Sequence, residues 1–105
     1  MNLLEETIER LKENNKTTKD VEFVSADGTS FTWADFIIVA DKEYDDGFGS
    51  PEVNLGLVVV GKDFWLERHE YDGSEHWEYK ELPTKLKPIN KVRIYKTVWS
   101  GYLTR

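Results

Sequence analysis

The spacing of apolar residues along the chain predicts two short helices. The first series consists of Leu4, Ile8 and Leu11, and the second of Trp33, Phe36, Ile37 and Ala40. Both series follow the three- and four-residue steps of a helix, so we expect helices over about residues 3–14 and 33–41. Asn2 and Thr32 stand at N-cap positions, each followed three residues later by an acidic residue. A β-branched pair in the second helix leaves a strand possible for its second half.

Alternating apolar and polar residues, separated by glycine turns, predict antiparallel strands. Residues 21–26 are β-rich and lead into Asp27-Gly28, a dipeptide that favours a tight turn, so we expect a short hairpin here. Three later segments predict an antiparallel meander with turns at Gly61-Lys62 and Asp72-Gly73. These segments are residues 53–60, 63–71 and 74–82.

The end of the chain adds one more predicted strand. Residues 92–99 alternate after a linker that contains prolines. A chain of 105 residues, of which 39% are hydrophobic and 13% aromatic, is sufficient for one folded core. We therefore expect a single α+β domain over residues 1–105. It would consist of one antiparallel sheet, made of the meander plus the C-terminal strand, with the two short helices packed on it.

The Asp72-Gly73 dipeptide determines which residues of the second hairpin face each other. With a two-residue turn, the only two histidines of the chain, His69 and His76, lie opposite each other. Glu67 and Glu78 form the next facing pair on the same side. This register is the one that best separates apolar from polar residues, so it predicts a cluster of two imidazoles and two carboxylates.

The other side of this hairpin is predicted to be apolar. It carries Phe64, Leu66, Trp77 and Tyr79. Arg68 faces Trp77 in this register, and its guanidinium can lie over the indole ring. A slip to a three-residue loop would instead move His69 opposite Glu75 and separate the histidines.

The histidine cluster is compatible with a zinc site. Facing Cβ atoms lie about 5 Å apart, so His69 and His76 could share one zinc ion, with Glu67 or Glu78 as a third ligand and one open position. The alternative is that this side of the hairpin is polar simply because it faces water.

Evidence for catalysis is weak in this sequence. Glu78 and Lys80 have the Glu-x-Lys spacing of some metal-dependent nucleases, in which the glutamate holds a metal and the lysine orients the attacking water. This spacing is common by chance in acidic chains, and no P-loop, nucleophile elbow, HExxH or GxGxxG motif accompanies it. We expect a protein that is not an enzyme.

An acidic, glycine-containing segment over residues 41–52 is the second candidate site. Its carboxylates are Asp41, Glu43, Asp45, Asp46 and Glu52, and its aromatic residues are Tyr44 and Phe48. Calcium is one possible ligand, although the EF-hand spacing is absent. A second interpretation is a recognition loop that attracts a basic partner by charge and anchors it with the rings. The third is a solvated connection whose aromatic residues fold back into the core.

Charge is distributed unevenly along the chain. The net charge is −6, but residues 1–79 carry 19 acidic and 7 basic side chains, which gives −12, whereas residues 80–105 carry 7 basic and 1 acidic, which gives +6. Such asymmetry indicates a charged partner or pairing of the basic end with the acidic body. The basic stretch 85–96 lacks a glycine-rich phosphate cradle, so direct binding of nucleic acid is not expected.

The cysteine content, the N-terminal residues and the length of the apolar runs indicate the cellular compartment. Cysteine is absent, which excludes disulfides and thiolate chemistry and favours a reducing cytoplasm. The N-terminus "MNLLEETIERLKE" does not resemble a signal peptide, and the longest apolar run, "LVVV", is too short to cross a membrane. We expect a cytoplasmic protein.

The segments "EYDDGFGSPE", "LVVVG" and "WLERHEYDGSEHWEYKELP" resemble small proteins carried by phages and prophages of Gram-positive bacteria. The resemblance covers roughly residues 33–83 and transfers no activity and no site residues. It implies a genomic setting in which small acidic proteins bind a host protein and inhibit it, including CRISPR and restriction enzymes.

The leading hypothesis is therefore a small acidic protein-binding module. Its acidic surface would engage a host protein with a basic surface, such as a nucleic-acid-handling defence enzyme that is inhibited in an anti-CRISPR or anti-restriction manner. The expected partner-binding residues are Asp41, Glu43, Tyr44, Asp45, Asp46, Phe48, Glu52, Glu67 and Glu78. One alternative is a metal-binding protein or metal-dependent enzyme with Glu67, His69, His76 and Glu78 as ligands. Another is a homo-oligomer that binds a small molecule or nucleotide through the basic C-terminal residues.

Overall fold

The computed structural model describes residues 1–44 and 52–83, together with the backbone of two C-terminal strands, 91–93 and 102–104. The elements follow the order helix, hairpin, helix, three-stranded meander and C-terminal strand pair. This is an α+β fold, as the sequence predicts.

Both predicted helices are present, and both begin at the expected cap. Helix α1 spans Leu3–Glu13, and the Asn2 side chain accepts a hydrogen bond from the Glu5 backbone N–H at 3.0 Å. Helix α2 spans Trp33–Ala40, and Thr32 Oγ1 accepts from the Asp35 N–H at 3.0 Å. These side chains satisfy backbone donors that have no partner within the first helical turn. Neither helix is long and apolar enough to cross a membrane, within the part of the chain described here.

Five antiparallel strands form the main sheet, in the order β2-β1-β3-β4-β5. The strands are β1 Val21–Ala26, β2 Thr29–Phe31, β3 Val58–Gly61, β4 Phe64–Tyr71 and β5 Ser74–Glu81. The predicted first hairpin, β1–β2, joins the predicted meander, β3–β4–β5, because β1 pairs with the free side of β3. The sheet is therefore wider than the meander alone.

One predicted strand of the meander begins later in the structure than the sequence predicts. The segment expected to be extended from residue 53 becomes a strand only at Val58. The Asn54 side chain accepts from the Gly56 N–H at 2.8 Å, and its backbone C=O accepts from the Leu57 N–H at 3.1 Å. Asparagine often competes with strand pairing in this way, by folding the local backbone into a turn.

The C-terminal strand also differs from the expected arrangement. Of the predicted residues 92–99, the structure describes 92 and 93, which belong to β6, Lys91–Arg93, and the others lie outside the described residues. Strand β6 pairs with β7, Tyr102–Thr104, in a separate two-stranded sheet. The C-terminal strand is therefore not part of the main sheet. The strand that pairs with the meander is β1, from the first hairpin.

The core lies between the two helices and one face of the main sheet. It consists of Leu11, Val24, Phe36, Ala40, Leu57, Val59, Phe64, Leu66 and Trp77. Gly61 is required where β3 turns toward β4, because a Cβ atom there would lie 2.0 Å from the Phe64 ring. Strand alternation leaves the second face of the sheet for polar and half-buried side chains.

Candidate functional site

The β4–β5 hairpin has the register that the sequence predicts. Asp72 and Gly73 both have positive φ, 53° and 84°, which are the values expected for a type I′ turn. His69 pairs with His76 and Glu67 pairs with Glu78, without a bulge between them. The prediction of a two-residue turn, and of the residues that face each other across the hairpin, is therefore confirmed.

The polar side of this hairpin, which we call the hairpin face, is a compact arrangement of charged and imidazole groups. It comprises Glu67, His69, His76, Glu78 and Lys80. The two imidazole rings lie nearly parallel with their centroids 6.2 Å apart. All five side chains remain between one third and one half exposed, so the hairpin face is open to solvent.

Glu78 is the centre of the hairpin face. One of its carboxylate oxygens lies 3.3 Å from His76 Nε2 and 3.4 Å from His69 Nδ1, and the other lies 3.5 Å from Lys80 Nζ. The hydrogen bond with His76, together with the nearby His69 and Lys80, lowers the pKa of Glu78 below its ordinary value. Glu78 is therefore a stable anion that is still accessible from outside.

The predicted metal ligands lie close together but do not form a metal-binding arrangement. His69 Nδ1 and His76 Nε2 both lie beside one oxygen of Glu78, whereas His69 Nε2 lies 3.3 Å from the Glu67 carboxylate without forming a hydrogen bond. Among residues 1–44 and 52–83, no three ligand-type side chains converge as a metal ion requires. Zinc binding at Glu67, His69, His76 and Glu78 stays a prediction, as does the nuclease-like interpretation of Glu78 and Lys80.

The opposite side of the hairpin carries a buried ionic network centred on Arg68, as well as apolar residues. The Arg68 guanidinium donates to Glu6 Oε1 at 3.2 Å and to Glu75 Oε1 at 3.2 Å. It also donates to the Tyr44 hydroxyl at 3.1 Å and lies 4.8 Å from the centroid of the Trp77 ring. The predicted stacking of Arg68 on Trp77 is confirmed. We call Arg68, Glu6, Tyr44 and Glu75 the Arg68 network.

The Arg68 network connects segments that are distant in sequence. Glu6 belongs to α1, and Glu75 accepts from the backbone N–H groups of Glu52 and Val53 at 2.7 and 3.0 Å. Burial lowers the pKa of Arg68, but the hydrogen bond to Tyr44 and the charge of Glu6 outweigh burial and raise it overall. The network thus fixes α1 and both ends of the acidic segment to the hairpin.

Tyr44 is half-buried within this network. Its hydroxyl donates to Glu6, and burial and this hydrogen bond raise the pKa of Tyr44 above its usual range. The ring lies under the Arg68 guanidinium at 5.5 Å. Of the alternatives that the sequence left open for this aromatic residue, the position of Tyr44 corresponds to a ring folded back onto the domain.

The residues predicted to bind a partner lie on two separate surfaces. Glu67 and Glu78 belong to the hairpin face, whereas Asp41, Glu43, Tyr44 and Glu52 lie on the side of the sheet that carries α1 and the Arg68 network. Asp41 accepts from the Asn2 side chain at 2.9 Å, and Glu43 pairs with the N-terminal amine at 2.8 Å. Asp45, Asp46 and Phe48 lie outside the described residues. The expected single surface is therefore divided by the sheet.

A row of glutamates on α1 is a feature that the sequence analysis did not identify. Glu5, Glu9 and Glu13 are spaced by four residues, so they follow one side of the helix. They border a groove of about 500 Å³ between α1 and the start of β5, which Ser74 and His76 also line. The four-residue spacing was visible in the sequence, but its position beside β5 depends on how α1 docks. We call these three residues the α1 row.

Comparisons of this chain with protein-family models, curated proteins and solved structures find no match. The resemblance to proteins carried by phages and prophages stays a prediction.

Proposed function

We propose that this protein is a non-enzymatic binding module whose exposed carboxylates engage a basic surface on another protein. The observation that supports this proposal is the excess of acidic over basic side chains among the described residues. Residues 1–44 and 52–83 carry 18 acidic and 8 basic side chains, a formal charge of −10. In this part of the chain, ion pairs with lysine, arginine or the N-terminal amine involve Glu6, Glu13, Glu43, Glu75 and Glu78.

The buried and exposed carboxylates have different roles in this proposal. Glu6 and Glu75 are bound by Arg68 and hold the fold together. Glu67 and Glu78 are displayed on a rigid hairpin at fixed spacing, so a partner meets them without reorganising the backbone. An excess of one charge also steers an oppositely charged protein toward the surface and raises the rate of association.

The partner class that fits best is a protein that handles nucleic acid. Such a protein has a basic site for phosphates, and a surface of fixed carboxylates competes for that site. This partner class also agrees with the implication of the phage resemblance, in which small acidic proteins inhibit host nucleases.

Affinity capture with matched variants tests this proposal. The wild-type chain would be used as bait in a bacterial lysate beside a double variant of the hairpin face, Glu67→Gln with Glu78→Gln. The control variant, Glu22→Gln with Asp35→Asn, removes the same charge from exposed positions on β1 and α2. We expect basic nucleic-acid-binding proteins that the wild type and the control retain and the hairpin-face variant loses.

A second step separates specific binding from general attraction. The captured protein, once purified, should be displaced from the wild-type chain by duplex DNA, because both would occupy the same basic site. A capture profile identical for all three chains, or binding that DNA does not affect, would contradict the proposal.

A further inference from the structure

Strand β5 is an edge of the main sheet, and none of the described residues pairs with its outer side. It runs for eight residues without a bulge or proline, and its neighbour in the sheet is β4. Within the described residues, no backbone hydrogen bond is made by its outer side. Proteins usually protect long edges with bulges, prolines or a covering element, so an open regular edge is a site where another strand can pair.

The turn geometry identifies the backbone groups that remain available. The type I′ turn makes Tyr71 and Ser74 a hydrogen-bonded pair, and such pairs alternate along an antiparallel hairpin. The N–H and C=O groups of Glu75, Trp77 and Tyr79 therefore point away from β4. They form three consecutive donor and acceptor sets at the spacing of a regular strand.

Helix α1 runs alongside this edge. Near its start, Glu6 and Glu75 bind the same Arg68 guanidinium, and Thr7 Oγ1 accepts from the Trp77 indole N–H at 2.9 Å. Beyond its end, Lys16 lies 5.1 Å from the Phe64 ring, and Phe64 pairs with Glu81. The helix thus follows β5 from one end to the other, and the groove lies between α1 and the start of β5.

The α1 row has the spacing to contact alternate residues of an added strand. Residues four apart on a helix are separated by about 6 Å along its axis, and alternate residues of a strand by about 6.6 Å. Glu5 and Glu9 are exposed and form no ion pair within the described part of the chain. Lysine or arginine side chains on one side of an added strand would meet carboxylates at successive positions.

Charge also determines which strand can pair here. A second copy of this chain, paired edge to edge, would bring the α1 row and Glu78 close to their own counterparts. Repulsion between these like-charged carboxylates opposes association of two copies. A basic segment meets the opposite situation, in which backbone pairing and side-chain charge act together.

We propose that the outer edge of β5 accepts an extended segment with lysine or arginine at alternate positions, which adds to the sheet as a sixth strand. This inference rests on the proposed function, since it specifies how a basic partner is bound. Backbone hydrogen bonds to Glu75, Trp77 and Tyr79 hold the segment, and Glu5 and Glu9 of the α1 row select its basic side chains.

A peptide pair tests the backbone part of this inference. The probe is a peptide of alternating lysine and threonine, about ten residues long, the upper range of a natural strand. Its control has the same sequence with every backbone nitrogen N-methylated, which keeps every side-chain charge and removes the donors of both peptide edges, so it blocks parallel and antiparallel pairing alike. Binding to the full chain, measured by calorimetry, should be at least tenfold weaker for the methylated peptide.

Amide hydrogen exchange locates the binding. In the free protein, the N–H groups of residues 77 and 79 should exchange faster than those of residues 76 and 78, which pair with β4. The lysine–threonine peptide should slow exchange at residues 77 and 79 selectively. Slow exchange at these positions in the free protein, together with a dimeric mass, would show that a second copy occupies the edge and would overturn the inference.

Two pairs of variants test whether the outward N–H of Tyr79 and the carboxylates of α1 bind the peptide. Tyr79→Pro removes an outward N–H, whereas Tyr79→Ala removes the same side chain and keeps the N–H, so only Tyr79→Pro should lose binding beyond the side-chain effect. Glu5→Gln with Glu9→Gln should weaken peptide binding several-fold, and Glu22→Gln with Asp35→Asn should not. The peptide pair decides the inference even if Tyr79→Pro does not fold.

The outcomes distinguish this inference from the broader proposal. Equal binding of both peptides would overturn strand addition and leave binding through charge intact. Absence of binding by both peptides would also overturn strand addition, whereas the capture experiment separately decides whether a basic partner exists.

Discussion

The two sides of the β4–β5 hairpin carry similar charged groups, which are buried on one side and exposed on the other. The Arg68 network places a cation between two carboxylates in the interior, with the side chain of Arg68 fully buried. The hairpin face places Glu78 among His69, His76 and Lys80, where each side chain is 37–45% exposed. The same strands, one residue out of phase, therefore provide one structural and one accessible set of charges.

Burial explains why these two sets should behave differently. A buried ion that loses its partner keeps its desolvation cost, whereas an exposed ion is solvated by water. The network should therefore control most of the stability of the fold, whereas the hairpin face should contribute little to stability and should control what the protein binds.

The largest effect is expected for Arg68→Met. This substitution leaves Glu6 and Glu75 without their cation, and breaking a buried pair typically costs about 3–5 kcal/mol of the free energy of unfolding. The matched control is Lys80→Met on the hairpin face, for which we expect a change within about 0.5 kcal/mol. Urea denaturation followed by tryptophan fluorescence measures both. Similar losses for the two variants would contradict the division.

Thr7→Val should have the second largest effect. The Trp77 indole N–H donates to Thr7 Oγ1, and both side chains are fully buried. Valine has nearly the same shape but cannot accept this hydrogen bond, so the unsatisfied donor should cost about 1–3 kcal/mol. Thr29→Val on the exposed strand β2 is the control. An equal shift of the thermal unfolding midpoint in both variants would contradict a role for the Thr7 hydroxyl.

Gly73→Ala should destabilise the hairpin on which both sides depend. Gly73 has a φ of 84°, and an L-residue in a left-handed conformation costs about 1–2 kcal/mol. Ser74→Ala, at the neighbouring exposed position, should have little effect. The loss is measured by chemical denaturation, and an unchanged midpoint for Gly73→Ala would show that the turn does not constrain the hairpin.

The smallest effect concerns acid stability through Glu78. Because the pKa of Glu78 is lower in the folded chain, its contribution to stability is present above the unfolded pKa, about 4.3, and is lost as pH falls through the folded pKa. Glu78→Gln should therefore flatten the acid side of the plot of stability against pH, and Glu22→Gln should not. The denaturation midpoint would be measured at several pH values around and below ~4.3. Plots of midpoint against pH that run parallel for the wild type and Glu78→Gln would contradict this prediction.

Local features of the fold could be predicted because neighbouring residues determine them. Asp27-Gly28 and Asp72-Gly73 form the tight turns, and Asn2 and Thr32 cap the helices, since each needs only residues close in sequence. The alternation of residues 64–71 and 74–81 then gives the two sides of the hairpin once the turn is known.

The arrangement of the candidate site depends on contacts between distant residues. Glu6 meets Arg68 from 62 positions away, and Trp77 meets Thr7 from 70 positions away, so no local pattern indicates these pairs. The ends of the acidic segment lie beside α1 because Glu75 binds the N–H groups of residues 52 and 53. The sequence shows that the segment is acidic but not which side of the sheet it joins.

The most direct test of the central claim is the affinity for a captured basic partner as a function of salt. The screening length falls from about 10 Å at 0.1 M to about 3 Å at 1 M ionic strength. Exposed carboxylates that bind a basic surface should therefore lose affinity at least tenfold, while the unfolding midpoint of the protein changes little. An affinity that is the same at both salt concentrations would contradict binding through the exposed carboxylates.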